Sequence, residues 1–259
     1  MTVPPPESAV VAPLLRGFRT RLLAVPSEIR EKEGDLGPLT ELDLLVDREV
    51  RTALFRAFPE DAWISEESPD RAGGSRVWIL DPVDGTRELA AGVPEWAVSL
   101  GLWEGGRPRY GWIYHPPSDS LREGGPGVGA WRDGSPARVR VASQSRDLVV
   151  GVSRTDLRKG LIPDVDPPPH PVGSIAYKLA LVATGELDAT VSVTPKRIWD
   201  VAGGIPLLLG AGATIAGLRS GHPLDRLDRL DRLRLEEGFV AAAPAWLDHL
   251  KALYAPDGR

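Results

Sequence analysis

The sequence contains no cysteine. A disulfide scaffold, a zinc–thiolate site and thiol catalysis are therefore excluded together. It also lacks any apolar run approaching the ~20 residues that a membrane-spanning helix needs, so no membrane association is expected. Its opening, MTVPPPESAVVAPLL, has neither a basic first region nor a long apolar core, which predicts a cytoplasmic rather than a secreted protein. Asparagine is missing, and glutamine and methionine occur once each, as Gln144 and Met1. Depletion of thermolabile residues is what a thermostable, heat-adapted protein shows. A codon bias toward Arg, Gly, Pro and Ala produces the same composition, and a melting midpoint separates the two. Basic charge is in short supply: 31 Lys plus Arg stand against 36 Asp plus Glu, a net charge of −5. A protein that neutralises many phosphates of a polymer carries the opposite bias, so no nucleic acid polymer is expected as a partner.

What is present is an ordinary globular composition, 42% apolar and 26% charged over 259 residues, which rules out disorder as the main state. Leu14, Leu15, Phe18 and Leu22 recur at helical spacing, and a second helix is predicted from Thr40 to the Phe58-Pro59 stop. Between them, residues 30–39 read as a loop. Strands are then expected at 62–65 and 76–80, with a hairpin of 96–103 and 109–115 around EGGRP. The glycine-rich stretch 124–134 has no Lys-Ser/Thr after it and reads as a hairpin loop before a strand at 137–141. From residue 148 strands and helices alternate: strand 148–152, a Pro-rich crossover 162–171, helix 174–184 and strand 187–193. Helix 200–210, strands 213–216 and 239–243, and helix 244–253 complete the series. The expectation is an α+β half over 1–142 and an α/β half over 143–259. The DRL repeat at 225–233 fits neither helical nor strand period and is expected to be an exposed connection.

Acidic residues carry the chemistry. Asp43 stands three positions after Thr40, the spacing of a capping box. Glu66 and Glu67 follow a short apolar strand. In Asp81-Pro82-Val83-Asp84-Gly85-Thr86, proline keeps the chain extended between two carboxylates with the Val83 carbonyl between them. Carboxylates with a backbone carbonyl are the hard oxygen donors that Mg²⁺ takes. The amides of Gly85 and Thr86 at a following helix start could face a phosphate. Asp200, in Trp-Asp-Val-Ala-Gly-Gly, opens an apolar helix as an N-cap would. The four histidines, His115, His170, His222 and His249, share no metal-ligand spacing, which disfavours a histidine hydrolase.

ISEES, then WILDPVDGTREL, then IWDVAGGIPLLLGAGA, in this order, resemble the inositol monophosphatase superfamily of Mg²⁺-dependent, lithium-sensitive phosphatases. The likeness runs from about Leu39 to Ala213 and takes in AVSLGLWEGGRPRYGWIYHP and GSIAYKLALVATGELDA. It implies a layered αβαβα sandwich of the inositol monophosphatase and fructose-1,6-bisphosphatase type, and a homodimer. It further implies that Glu66, Asp81 and the Val83 carbonyl hold one metal, that Asp81, Asp84 and Asp200 hold a second, and that Glu66 helps with a third. The metal would be Mg²⁺, two or three ions per site, with Mn²⁺ as the alternative. Asp43 and Thr86 would orient the attacking water, and Glu67 would support the site.

For the substrate, a small soluble phosphate monoester, the sequence leaves two readings level. Leu89 stands where the family usually has an aromatic residue, and Val193 where inositol-binding members have an acid. The SEE triplet and the TREL run look more like the 3′(2′),5′-bisphosphate nucleotidase branch. Ser174, Lys178, Lys196 and Arg197 are candidate substrate contacts, the three cations for a second phosphate. PEWAVSLGL and WDVAGG read equally well as inositol phosphatase. A sugar bisphosphate is a third choice, and an inactive relative that only binds metal or phosphate is a reading of another class. That last reading expects a lost ligand, and none is lost.

Overall fold

The computed structural model describes residues 3–24, 29–31, 38–226 and 234–255. The chain opens with α1 (Ser8–Gly17) and α2 (Arg19–Leu22), two helices where one was expected. They bury Val11, Leu15, Phe18 and Leu22, while Leu14 stays half-buried. β1 (Ile29–Glu31) and β2 (Pro38–Thr40) pair antiparallel, so part of the predicted 30–39 loop is a hairpin. α3 (Glu41–Ala57) starts at the expected capping box and ends at Phe58.

A seven-stranded sheet follows. It comprises β3 (Ala62–Ser65), β4 (Arg76–Asp84), β5 (Ala97–Glu104), β6 (Arg107–His115), β7 (Ser120–Gly125), β8 (Gly129–Arg132) and β9 (Ser135–Ala137), in that spatial order, with α4 (Thr86–Ala90) after β4. Only β3 and β4 are parallel. The glycine-rich stretch is not all loop: β7 ends in it and β8 lies within it. The strand predicted at 137–141 is displaced to β9. Ser-Leu-Arg-Glu-Gly-Gly shows no apolar alternation, yet β7 lies inside the sheet between β6 and β8, where Arg122 is buried and its Nη2 donates to Glu186 at 2.8 Å.

The remainder is β10 (Val150–Ser153), α5 (Arg154–Arg158), β11 (His170–Val172), α6 (Ile175–Ala183), β12 (Ala189–Ser192) and β13 (Lys196–Arg197). Then come α7 (Ile198–Ala202), α8 (Gly204–Gly210), β14 (Thr214–Gly217), β15 (Arg234–Leu235), β16 (Phe239–Ala242) and α9 (Leu247–Tyr254). Five strands form a second sheet in the order β11-β10-β12-β16-β14, and β13 pairs with β15 apart from it. α5, β11 and the β13–β15 pair were not anticipated. The predicted helix 200–210 is α7 and α8, divided at Gly203. A Cβ on Gly203 would lie 2.7 Å from Ser99 Oγ and 2.9 Å from Leu100 O of β5, so close approach to the sheet sets the break. Of the DRL repeat, residues 227–233 lie outside the described residues.

Alternation along the strands builds the layers. Val77 and Ile79 of β4 face α6, α7 and α8, which also meet Phe239 and Ala241 of β16. Trp78 and Leu80 face the other way, under α1 and α3. Val240 and Ala242 face α9. Helix, sheet, helix, sheet and helix thus stack as the expected αβαβα sandwich. Among the described residues no helix is long and apolar enough to cross a membrane.

Candidate active site

The site assembles at the end of β4. On a regular strand Asp81 and Asp84, an odd number apart, would point to opposite faces. The register against β5 shifts there, from Asp81 beside Ser99 to Asp84 beside Ala97. That bulge gives β4 one extra residue and lets both carboxylates line one cavity of about 630 Å³. Gly85 follows with φ +94°, and a Cβ there would come 3.0 Å from both Glu95 O and Trp96 Cβ. Thr86 then begins α4, and its hydroxyl donates to Val83 O at 2.8 Å.

Parallel pairing brings in the next acid. Ser65 of β3 lies beside Leu80, and the Glu66 amide donates to Leu80 O at 3.3 Å, so Glu66 enters the cavity beside Asp81. Asp200 comes from the first turn of α7, where its Oδ2 accepts from the Arg197 amide at 2.8 Å. Asp43 is buried behind Thr86: its Oδ2 accepts from Thr40 N and Oγ1 at 2.8 and 2.5 Å, and its Oδ1 lies 3.4 Å from the Thr86 hydroxyl. Capping and a site role are therefore compatible, one oxygen serving each.

Electrostatics single out Asp81. Burial first, then Glu66, Asp84, Asp200 and Asp43, hold its pKa well above the usual carboxylate range. Its Oδ1 is buried with no hydrogen-bond partner. Burial also raises Asp84, against the opposing pull of Ser174, Ala176 and Lys178, and raises Asp200, which Asp84 pushes further. Buried, mutually repelling acids with an orphaned oxygen form a donor set that suits a hard divalent cation. Among the described residues no three acidic or histidine side chains already stand in a metal-coordinating arrangement.

Glu66, Asp81, Val83, Asp84, Gly85, Thr86, Ser174, Lys178, Lys196 and Asp200 all line the cavity. Asp43, Glu67 and Arg197 do not. Arg197 contributes its backbone amide to Asp200 instead of a side chain to the cavity. The reading of Lys178 as a free cation for substrate is also corrected. It is 1% exposed, and its Nζ donates to the carbonyls of Val172, Gly173 and Ser174 at 3.0, 3.3 and 2.7 Å, which uses all three of its protons. Burial lowers its pKa to about 8. Ser174 is the N-cap of α6, accepting from Tyr177 N at 2.9 Å, and donates to Asp84 Oδ2 at 2.6 Å. Its φ of +51° is rare for a residue with a side chain and marks local strain. Val193 packs against the cluster around α9 and does not line the cavity.

Arg87, Lys159 and Arg234 line the cavity too, with Asp156 and Thr194, and were not anticipated. Nothing near Arg234 in the sequence signals this, because it arrives by pairing of β15 with β13. Another hollow, of about 510 Å³, includes Glu7, Arg76, Glu104 and Arg109. Two of its three arginines are paired, Arg76 with Glu7 at 3.0 Å and Arg109 with Glu104 at 3.4 Å. The concentrated like charge lies in the carboxylate cavity.

Comparison with known proteins matches a family model described as the inositol monophosphatase family to residues 10–255. A histidinol-phosphatase of Chlorobaculum parvum is 32% identical over 190 residues, which cover 68% of this chain and 70% of the relative. The 3′(2′),5′-bisphosphate nucleotidase CysQ of Escherichia coli O157:H7 is 28% identical over 215 residues, covering 80% and 86%. The solved structure of extragenic suppressor protein suhB from Bartonella henselae superposes with a TM-score of 0.83 at 22% identity, covering 97% of this chain and 99% of the other. That last likeness shows the fold.

Proposed function

The chain belongs to the inositol monophosphatase family and is a phosphatase of that family, and on that premise we propose that it hydrolyses a small phosphate monoester with Mg²⁺. The observation that carries this reading is the buried, unpartnered Oδ1 of Asp81 among carboxylates that line one cavity. Glu66, Asp81 and the Val83 carbonyl would hold one ion, and Asp84 and Asp200 would complete a second site with Asp81. When bound, Mg²⁺ neutralises phosphate oxygens and lowers the pKa of a water.

The chain's own residues do the rest. The Thr86 hydroxyl lines the cavity and would orient the attacking water, and Asp43 Oδ1, 3.4 Å behind that hydroxyl, would receive the water's proton by way of it. As the water oxygen bonds to phosphorus, Asp43 takes up its proton. The P–O ester bond breaks, the leaving alkoxide takes a proton from a solvent water to become an alcohol, and Asp43 returns its proton to solvent. The products are an alcohol and inorganic phosphate, with no covalent enzyme intermediate, because Asp81 and Asp84 serve as ligands and not as nucleophiles.

Substrates to compare are inositol 1-phosphate, adenosine 3′,5′-bisphosphate and histidinol phosphate. The last is added because a histidinol-phosphatase is among the relatives. Phosphate release with Mg²⁺ and none in EDTA is the expected result. Release from no ester under Mg²⁺, by protein that nonetheless binds the ion, would favour an inactive metal-binding relative.

A further inference from the structure

α3 brings two carboxylates to the site from behind. Asp43 and Asp47 stand four residues apart, so they share one face of the helix, and both are buried. Asp43 stands behind Thr86. Asp47 stands behind the segment that carries Glu66: Ser65 Oγ donates to Asp47 Oδ1 at 2.5 Å, and Ser68 Oγ donates to the same oxygen at 2.9 Å. The two serines bracket Glu66 and Glu67, so a single carboxylate oxygen ties both ends of a four-residue segment.

The bonds run one way. Each serine has one hydroxyl proton and gives it to Asp47. The oxygens then only accept: Ser68 Oγ takes the Trp63 Nε1 proton at 3.0 Å, and Ser65 Oγ takes the Glu67 amide at 3.4 Å. Trp63 and Arg71 exchange backbone bonds of 2.9 Å in both directions, which closes the loop 64–70. The segment around Glu66 is thereby held between β4, through Leu80 O, and α3, through Asp47. Among the proposed ligands this support matters most to Glu66. Asp81 and Asp84 sit in β4 and Asp200 in α7, whereas Glu66 lies in the bend after β3. Asp47 is 4% exposed and makes no ion pair among the described residues. Burying a carboxylate in this way costs stability, and an amide side chain would fill the place without that cost. What the carboxylate adds is strength, because charge-assisted hydrogen bonds are about twice as strong as neutral ones.

We propose that Asp47 is a positioning residue for metal binding: acting through Ser65 and Ser68, it fixes Glu66 where its carboxylate meets the cation. This rests on the Mg²⁺ reading given above. Asp47 itself touches neither cation nor substrate. One face of α3 then serves the site twice, with Asp43 behind the threonine that orients water and Asp47 behind the ligand that has no strand or helix of its own.

The test is Mg²⁺ binding by calorimetry on the full chain without substrate, beside urea unfolding in EDTA. Ser65→Ala with Ser68→Ala removes both tethers and should weaken Mg²⁺ binding by about tenfold or more, the scale on which groups that orient a metal ligand act. Asp47→Asn keeps the size and an acceptor oxygen, so it should fold readily and show a smaller loss in the same direction. The same changes are then made together with Glu66→Gln, where Asp81, Asp84 and Asp200 remain to bind the ion. There they should cause no further loss of Mg²⁺ affinity, while their effect on urea unfolding persists. A purely structural Asp47 would lower stability and leave Mg²⁺ affinity alone. Unchanged affinity in both Asp47→Asn and the serine pair, or a loss of equal size with and without Glu66, overturns the proposal while the metal reading stands. An unaltered protein that binds no Mg²⁺ overturns the metal reading and the proposal with it.

Discussion

Ser174 donates its hydroxyl proton to Oδ2 of Asp84 at 2.6 Å, linking the start of α6 to the end of β4 across 90 residues of chain. The Ala176 amide reaches the same oxygen at 2.5 Å. The two donors aim Asp84 and partly offset the cost of burying it. The same serine caps α6 and holds a positive φ, so cap, strain and carboxylate orientation meet in one residue.

Replacing that serine separates its roles. Ser174→Ala loses the cap and the bond to Asp84 while the backbone strain stays as it was, so a loss of about 1–3 kcal/mol in stability is expected. Ser174→Gly loses the same hydroxyl but tolerates φ +51°, and should be the more stable of the two. Both should need more Mg²⁺ for half-maximal phosphate release, since Asp84 loses a donor in each. Chemical denaturation and a metal titration of the two variants read these effects. Equal stability of Ala and Gly would show that the backbone there carries no strain.

Asp81 gives the clearest metal prediction. Its carboxylate is repelled by Glu66, Asp84, Asp200 and Asp43 and buried at 1% exposure. Asp81→Asn removes that repulsion, so the EDTA-treated variant should melt at or above the unaltered protein. Mg²⁺ should raise the melting midpoint of the unaltered protein by mass action and leave the variant nearly unmoved. Phosphate release should fall by about 10³-fold or more, the scale on which loss of a charge-stabilising group acts. A variant that is still stabilised by Mg²⁺ would remove Asp81 from the ligand set.

Legibility in the sequence follows the distance over which an interaction acts. Asp81, Val83 and Asp84 were readable because three neighbouring residues already constitute a donor set, whereas the layer order came from the family resemblance, since Val77-Trp78-Ile79-Leu80 is apolar throughout and its alternation between two faces is visible only in the fold. Lys178 was misread as a free cation, since its partners are backbone carbonyls, which no residue type announces. Arg122 hid β7 for a related reason: its acid, Glu186, is 64 residues away. The division of α7 from α8 depends on Ser99 and Leu100 of β5, and the β13–β15 ladder on residues beyond the DRL repeat. Such features are set by tertiary contact, which single-sequence periodicity does not contain.

Close approach of α7 and α8 to the large sheet makes two glycines indispensable. A Cβ on Gly101 of β5 would collide with the carbonyl of Ala202, and one on Gly111 of β6 with the carbonyl of Gly203. Neither obstacle is the flexible end of a side chain, so the helices must move. Gly111→Ala should destabilise the protein by about 3 kcal/mol or more. Because α7 carries Asp200, Mg²⁺ affinity should weaken as well. Gly127→Ala is the control for a glycine in a turn, where nothing lies within 4 Å of the added carbon, and its cost should be confined to the strain of φ +72°. Thermal melts and Mg²⁺ titration of the two variants distinguish a packing limit from a general preference for glycine.

His115 sets a stability dependence on pH in the mildly acidic range. It is 4% exposed, stacked on Tyr177 at 4.1 Å, with Nε2 3.0 Å from Pro94 O and Nδ1 2.6 Å from Ser118 Oγ. Burial lowers its pKa, and the nearby Arg122 lowers it further. The unfolded chain therefore binds a proton more readily than the folded one, with an ordinary histidine value of about 6.5. The stability linked to the neutral ring is fully present above that value and is lost as pH falls through the lower folded value. The melting midpoint in saturating Mg²⁺ should therefore drop as the pH is taken below about 6.5. His115→Phe keeps the stack on Tyr177, gives up the two hydrogen bonds, and should be less stable at pH 7.5. Its midpoint should then fall less over the same interval, so the gap between the two proteins narrows as the solution is acidified. A gap that widens with acid would mean that His115 gains a proton on folding, and the assigned direction of its shift would be wrong.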